Sequence, residues 1–352
     1  MLPARKLLCC CAVLLWIPVY LGAAQAEKAA AGNSPAVKIG FLVDSLKVER
    51  WQTDVDTFQK RARALGAEVL VEDAEGDDDL QYRQARKLVS EGVKVLVIVP
   101  HDTNEAVRLV AAAKAANVLV ISYDRLIRNA DIDFFVGADS ERIGELQAQS
   151  LVALAPKGNY VLIAGSPTDS NAKLLRQGQL KVLKPFIDRG DIKLVGDVWT
   201  TDWRPQEAYV HTFEILEATQ GNVTAVVASN DGTAGGAIQA LQEHQLAGKV
   251  LVSGQDADLA AVIRILDGSQ TCTIYKPLRT EAERAAEIAA KFARGERVEA
   301  ADSIANGNRN VPAFFITPVV VTSKNMRETV IADGFQNLET IRKSLPPEKW
   351  PQ

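Results

Sequence analysis

Apolar positions along this chain fall into two rhythms, and the alternation between them runs through twice. Short unbroken apolar runs predict strands buried on both faces, while longer stretches with one apolar stripe predict helices. The run at 37–43 is a strand of this kind. Residues 51–65 then place Val55, Phe58, Ala62 and Leu65 on one helical face, and Gly66 supplies a stop. The unit repeats as strand 68–71, helix 80–90, strand 93–99 closed by Pro100, helix 104–116 and strand 118–123. A short strand at 134–138 ends this series, and the chain leaves the first half near Asp139.

The same rhythm restarts with helix 141–154, strand 160–164, helix 172–189 and strand 193–198. Helix 205–218, strand 225–228, helix 233–246, strand 250–253, helix 258–267 and strand 271–275 follow. Strands linked by helices build parallel sheets covered on both faces. The expected fold is therefore α/β: two doubly wound parallel-sheet lobes, each of five or six strands, joined by a three-strand hinge. Beyond Tyr275, the stretch 280–293 carries Ala285, Ile288, Ala289 and Phe292 on one stripe, and 314–321 reads as a late strand. If these two complete different lobes, the chain crosses near Asp139, Tyr275 and Gly307. The first lobe then comprises 37–139 with 277–307, and the second 140–276 with 308–345.

The amino-terminal segment bears on where the protein works. Arg5 and Lys6 precede an apolar stretch at 7–21, and Ala24-Gln25-Ala26 offers the small-x-small site that signal peptidase accepts. About 15 apolar residues fall short of the ~20 that span a bilayer. The expectation is an export signal at 1–26 cleaved after Ala26, a flexible leader at 27–36 and a periplasmic mature chain. Cys9, Cys10 and Cys11 leave with the signal, so Cys272 has no partner for an intramolecular disulfide. The remaining length suits two domains at the usual size of about 150 residues.

Charge and motifs remove several function classes. A net charge of −4 without a basic stripe argues against nucleic acid or an anionic membrane as partner. His101, His211 and His244 match no metal spacing, and Asp77-Asp78-Asp79 lacks the calcium-loop pattern. The run Gly232 to Gly236 has neither dinucleotide nor P-loop spacing. Neither a metal nor a cofactor is expected, and the chain is expected to act as a monomer.

In open parallel sheets, ligands bind beyond the carboxyl ends of the strands, so residues just after each apolar run are the candidates. They are Arg50 and Trp51 in the first lobe, then Arg125 after Tyr123-Asp124. The second half contributes Asp169, Asn171, Trp203, Asn230, Asp256 and Lys276. Sugar hydroxyls both donate and accept, and Asp, Asn, Arg and Lys can satisfy them in pairs while a C–H face rests on an indole. Guanidinium and carboxylate alternate here, which suits a neutral polyol better than an anion. Each residue has a plainer reading too: Asn230 as a helix cap, Asp169 and Asp256 as turn residues, Arg50 and Arg125 as surface pairs, and Trp203 as core.

The runs Glu49-Arg50-Trp51, Tyr123-Asp124-Arg125, Asn171-Ala172-Lys173-Leu174, Ser229-Asn230-Asp231-Gly232, Ser253-Gly254-Gln255-Asp256 and Tyr275-Lys276-Pro277 closely resemble the periplasmic D-xylose-binding proteins of bacterial ABC importers. The likeness spans about 37–335. It implies a type I periplasmic binding protein fold in which a monosaccharide, D-xylose foremost, is held between closing lobes and delivered to an importer permease. The resemblance also implies that the nine candidates would be ligand contacts, and Trp51 and Trp203 would then sandwich the sugar ring. Ser170 stands where the family often has Asn, and Gly232 replaces an Ala.

Other readings stay open beside this one. Arabinose, ribose, glucose or galactose could replace xylose, and the loaded receptor could dock on a chemoreceptor or sensor-kinase domain. A sugar-responsive transcriptional regulator would need a DNA-binding headpiece where the apolar export segment stands. A secreted sugar enzyme could use paired carboxylates such as Asp169 and Asp256, but no catalytic motif accompanies them.

Overall fold

The structure is a computed structural model that describes residues 36–351. The expected export signal, its cleavage site and nearly all of the leader lie outside the described residues. In chain order, the first series is β1 (Val37–Val43), α1 (Glu49–Ala64), β2 (Ala67–Asp73), α2 (Asp78–Ser90), β3 (Val95–Ile98), α3 (Ala106–Ala115), β4 (Leu119–Tyr123) and β5 (Phe134–Ala138). The second is α4 (Ser140–Val152), β6 (Gly158–Ala164), α5 (Ser170–Asp188), β7 (Ile192–Trp199), α6 (Pro205–Thr219), β8 (Ala225–Ala228), α7 (Asp231–Glu243), β9 (Leu251–Ser253), α8 (Leu259–Asp267) and β10 (Thr273–Tyr275). The chain closes with α9 (Leu278–Ala293), β11 (Asp302–Ala305), β12 (Asn310–Ile316), β13 (Val319–Val321) and α10 (Leu338–Ser344).

One sheet has seven strands in the order β11-β12-β5-β4-β3-β1-β2, parallel except for β11. Alternate residues of each strand point to opposite faces. Phe41 packs with Phe58 of α1 and Ala282, Ala285 and Ala289 of α9, while its neighbour Leu42 packs with Leu88 of α2 and Leu109 of α3. Two helical layers thus cover one sheet, and this is why its central strands β3, β4 and β5 are apolar almost throughout. The second lobe has a four-stranded parallel sheet, β7-β6-β8-β9, and an antiparallel pair, β10-β13. A parallel bridge between Gln255 and Ile274 carries the four-stranded sheet on to that pair.

Three expectations need correcting. The late strand is two strands: β12 pairs with β5, Ile316 facing Ala138, and β13 pairs with β10, Val319 facing Tyr275. Pro318 separates them, since it has no N–H to donate to either ladder. The third crossing therefore falls at Thr317-Pro318, not near Gly307, and residues 310–316 belong to the first lobe's sheet. That sheet also gains β11, whose polar Asp302-Ser303 start carries no apolar run. The sheets are consequently of seven strands and of four plus two, against five or six in each.

Helices α4 and α5 approach so closely that only glycine fits. A Cβ on Gly178 would stand 1.9 Å from the carbonyl oxygen of Glu141, and one on Gly144 would stand 2.0 Å from that of Leu175. Gly178→Ala should therefore force the helices apart and lower unfolding stability by about 1–3 kcal/mol, an overpacking cost. Urea unfolding of the two proteins measures it, and equal midpoints would refute the contact.

Candidate ligand site

The sheet ends bring their polar residues together between the lobes. Arg50 and Trp51 lie in the first turn of α1, which follows β1. Asp124 and Arg125 follow β4, and Asp124 adopts a left-handed backbone, φ 58°, that Asp tolerates better than most residues. Its N–H donates to the Val136 carbonyl at 2.8 Å, which fixes the turn. From the second lobe, Asp169 caps α5, Asp256 follows β9 at φ 95°, and Lys276 follows β10. The Asp256 N–H donates to Ile274 O at 3.0 Å.

Asp124 is the centre of this assembly. Its Oδ1 accepts from Arg50 Nη1 and from Lys276 Nζ, each at 2.9 Å, and its Oδ2 accepts from Asn171 Nδ2 at 3.1 Å. Asp256 Oδ1 lies 3.5 Å from Arg50 Nη1 and 3.3 Å from Lys276 Nζ. Arg50 also reaches Asp54 at 3.2 Å and Glu281 at 3.4 Å. A second chain of contacts runs beside the first. Arg125 Nη1 donates to Asp44 Oδ2 at 2.8 Å and to Pro100 O at 2.9 Å, while its Nε lies 2.9 Å from Asp169 Oδ2 across the lobes. Trp203 Nε1 donates to that same Asp169 oxygen at 3.1 Å.

Eight of the nine sequence candidates are thus joined by side-chain contacts: Arg50 stacks on Trp51, its guanidinium carbon 4.1 Å from the ring centroid, and the rest are linked as above. Asn230 differs. Its Oδ1 accepts from Thr233 N at 2.8 Å and its own backbone N–H donates to Thr233 Oγ1 at 3.3 Å, a capping box at the start of α7. The next residue ties this turn to the rest, since Asp231 N–H donates to Gln255 O at 3.0 Å. Trp203 rests on Gly165, where a Cβ would meet the indole at 2.3 Å, and its own backbone is left-handed, as is that of Asp202. Ser170 donates to Leu126 O at 3.2 Å, a further link between the lobes.

The nine sequence candidates leave out Asp124, seen only as the neighbour of Arg125, and also Asp44, Asp54, His101 and Glu281. Asp44 directly follows β1 and meets the strand-end criterion, Asp54 is one turn from Arg50, and Glu281 is one turn before Ala285 in the apolar stripe of α9. His101 Nδ1 lies 2.8 Å from Asp44 Oδ1, on the far side from Arg125. The described residues contain no group of three or more His, Cys, Asp and Glu suited to a metal.

Burial sets the electrostatics. Arg50, Arg125, Asp124, Asp169 and Lys276 are each under a tenth exposed. Burial works against the Asp124 carboxylate, but Arg50 and Lys276 outweigh it and hold the carboxyl well below the usual range. Asp169 and Asp54 go the other way, because for them burial exceeds the attraction of their arginines. Asp124→Asn would leave Arg50 and Lys276 buried against a neutral amide, at an expected cost of about 3 kcal/mol in urea unfolding at neutral pH. A carboxyl depressed on folding contributes stability above its unfolded value of 3.8 and loses it as pH falls toward the folded value. The gap between wild type and variant should therefore narrow in acid; a gap independent of pH would contradict the assignment.

Comparison with known proteins agrees with this architecture. Residues 39–297 match the family model for the periplasmic binding protein domain. The chain is 50% identical over 309 residues to the D-xylose-binding periplasmic protein of Haemophilus influenzae, covering 88% of this chain and 93% of that protein. It is 48% identical over 305 residues to the D-xylose-binding periplasmic protein of Escherichia coli, covering 87% and 92%. Among solved structures, the carbohydrate transporter solute binding protein from Chloroflexus aurantiacus in complex with D-glucose has a TM-score of 0.81 at 30% identity, covering 89% of this chain and 99% of that one. The two-lobed α/β architecture is the type I periplasmic binding protein fold, and the chain belongs to the periplasmic binding protein family.

Proposed function

We propose that this protein is a periplasmic receptor that captures a monosaccharide, D-xylose in the first place, between its lobes and delivers it to the permease of an ABC importer. The observation that carries the reading is the meeting of Arg50, Asp124 and Arg125 from one lobe with Asp169, Asn171, Asp256 and Lys276 from the other. Such alternating donors and acceptors can satisfy both sides of each sugar hydroxyl with charge-assisted bonds. A ligand that contacts both sets binds the closed arrangement better than an open one and shifts the population toward it. Closure is then the state the permease reads.

The proposed contacts are Arg50, Trp51, Arg125, Asp169, Asn171, Trp203, Asn230, Asp256 and Lys276. With its oxygen engaged in the cap, Asn230 would offer the amide nitrogen to a hydroxyl. The two indoles are each backed on one side, Trp51 by Arg50 and Trp203 by Gly165, so either can serve as a fixed support for a C–H face. The carboxylates of Asp169 and Asp256 are engaged with Arg125, Arg50 and Lys276, as acceptors held in place, and this favours a receptor over a hydrolase. The names of the most similar relatives support xylose, and the glucose complex of a more distant relative keeps other aldoses in the test. Export by the 1–26 segment with cleavage after Ala26 belongs to the same reading. Coupling to a chemoreceptor or sensor kinase would use the same closed state.

Thermal unfolding of the mature chain against a panel of aldoses tests the ligand. Xylose at about 1,000 times its Kd should add about 4 kcal/mol of stability. A shift with another aldose and none with xylose would replace the named ligand, and no shift with any sugar would remove the reading. Trp203→Ala should weaken sugar binding by about tenfold or more, each decade being about 1.4 kcal/mol, while circular dichroism stays unchanged. Unaltered affinity would exclude that indole as a platform.

A further inference from the structure

Behind the proposed contacts stands a carboxyl that none of them requires. Glu281 is in the first turn of α9, fully buried, with Oε2 3.4 Å from Arg50 Nη2. Its Oε1 is buried and has no hydrogen-bond partner among the described residues. The charged and titratable groups facing it are Arg50 and Asp54 of α1, Tyr123 and Asp124 at the end of β4, and Lys276 at the end of β10, with Asp256 beyond Arg50. The strands beneath α9 present apolar side chains to it.

Charge balance decides the state of this cluster. If Asp54, Asp124, Asp256 and Glu281 were all ionised, four carboxylates would face Arg50 and Lys276 and leave an excess of two negative charges, with only Asp256 partly exposed to water. Uncompensated buried charge is costly enough that the group takes up a proton instead. Asp124 has two cations at 2.9 Å, Asp256 retains some solvent exposure, and Asp54 has both the Arg50 Nε and the Tyr123 hydroxyl. Glu281 has one long contact and one bare oxygen, the poorest compensation of the four. Burial, with Asp124 and Asp54 adding to it, pushes its carboxyl well above the usual range.

We propose that Glu281 is a positioning residue of the ligand site that works as a neutral acid. Uncharged, it braces Arg50 Nη2 without competing with Asp124 and the ligand for the guanidinium; ionised, it draws Arg50 toward α9 and weakens the grip on the ligand. The proposal rests on the cleft being a sugar site. It makes affinity fall as pH rises, for a reason located in one side chain.

The test uses whichever aldose stabilises the wild type most, with Kd measured by titration calorimetry from about pH 6 to about pH 9. Wild-type Kd should rise by about tenfold or more, the effect of one pKa unit of differential interaction. Glu281→Gln, which fixes the neutral form, should match wild type at the acid end and lose that rise. A flat wild-type profile, a rise shared by the variant, or a variant much weaker already at the acid end would each overturn the proposal. Should the Gln variant not fold, Glu281→Met offers an uncharged side chain of similar length for the same comparison. Infrared spectra supply a readout without ligand: a protonated-carboxyl band at neutral pH that vanishes in the variant is expected, and its absence from wild type refutes the neutral acid. If no sugar binds, the ligand reading fails, while the band still reports whether Glu281 is a neutral acid and so separates that failure from failure of the proposal.

Discussion

The desolvated charge cluster between the lobes is the constraint on which this architecture turns. Three cations, Arg50, Arg125 and Lys276, are surrounded by carboxylates from both lobes, and each ion would be costly to bury alone. Replacing water with partners is feasible only because the strand ends of two sheets point at one another. Asp124 illustrates the economy of the arrangement: one carboxylate receives Arg50 from its own lobe and Lys276 and Asn171 from the other. Each of the three cations is thereby oriented by carboxylate acceptors from both lobes.

The sheets are what make such convergence reproducible. Parallel strands buried on both faces leave only their ends for polar chemistry, and backbone bonds hold the turns that follow, as Asp124 N–H to Val136 O and Asp256 N–H to Ile274 O do. Left-handed conformations at Asp124, Asp202, Trp203 and Asp256 cluster at these ends. Strain of that sort persists where the surroundings over-determine it, and it gathers at functional sites.

Much of this was readable from the sequence, and the omissions have physical causes. Continuous apolar runs and one-sided helices located the elements, and the strand-end rule found eight residues that contact one another. The antiparallel strand Asp302–Ala305 was invisible because an exposed edge needs no apolar run. The division of 314–321 was hidden because apolar residues on both sides of Pro318 enter different sheets. Asn230 shows a limit of another kind: capping and ligand contact demand the same residue type, so pattern alone leaves both open. Glu281 could have been noticed as a charge within an apolar stripe, but its significance depends on Arg50, which is distant in sequence and meets it only in the fold.

The placement of Asn310–Ile316 beside Phe134–Ala138 has a consequence for how the protein is made. The amino-terminal lobe borrows a helix, Leu278–Ala293, and two strands, Asp302–Ala305 and Asn310–Ile316, from late in the chain, so its sheet cannot be completed before those residues are made. Pairings between such remote segments form slowly.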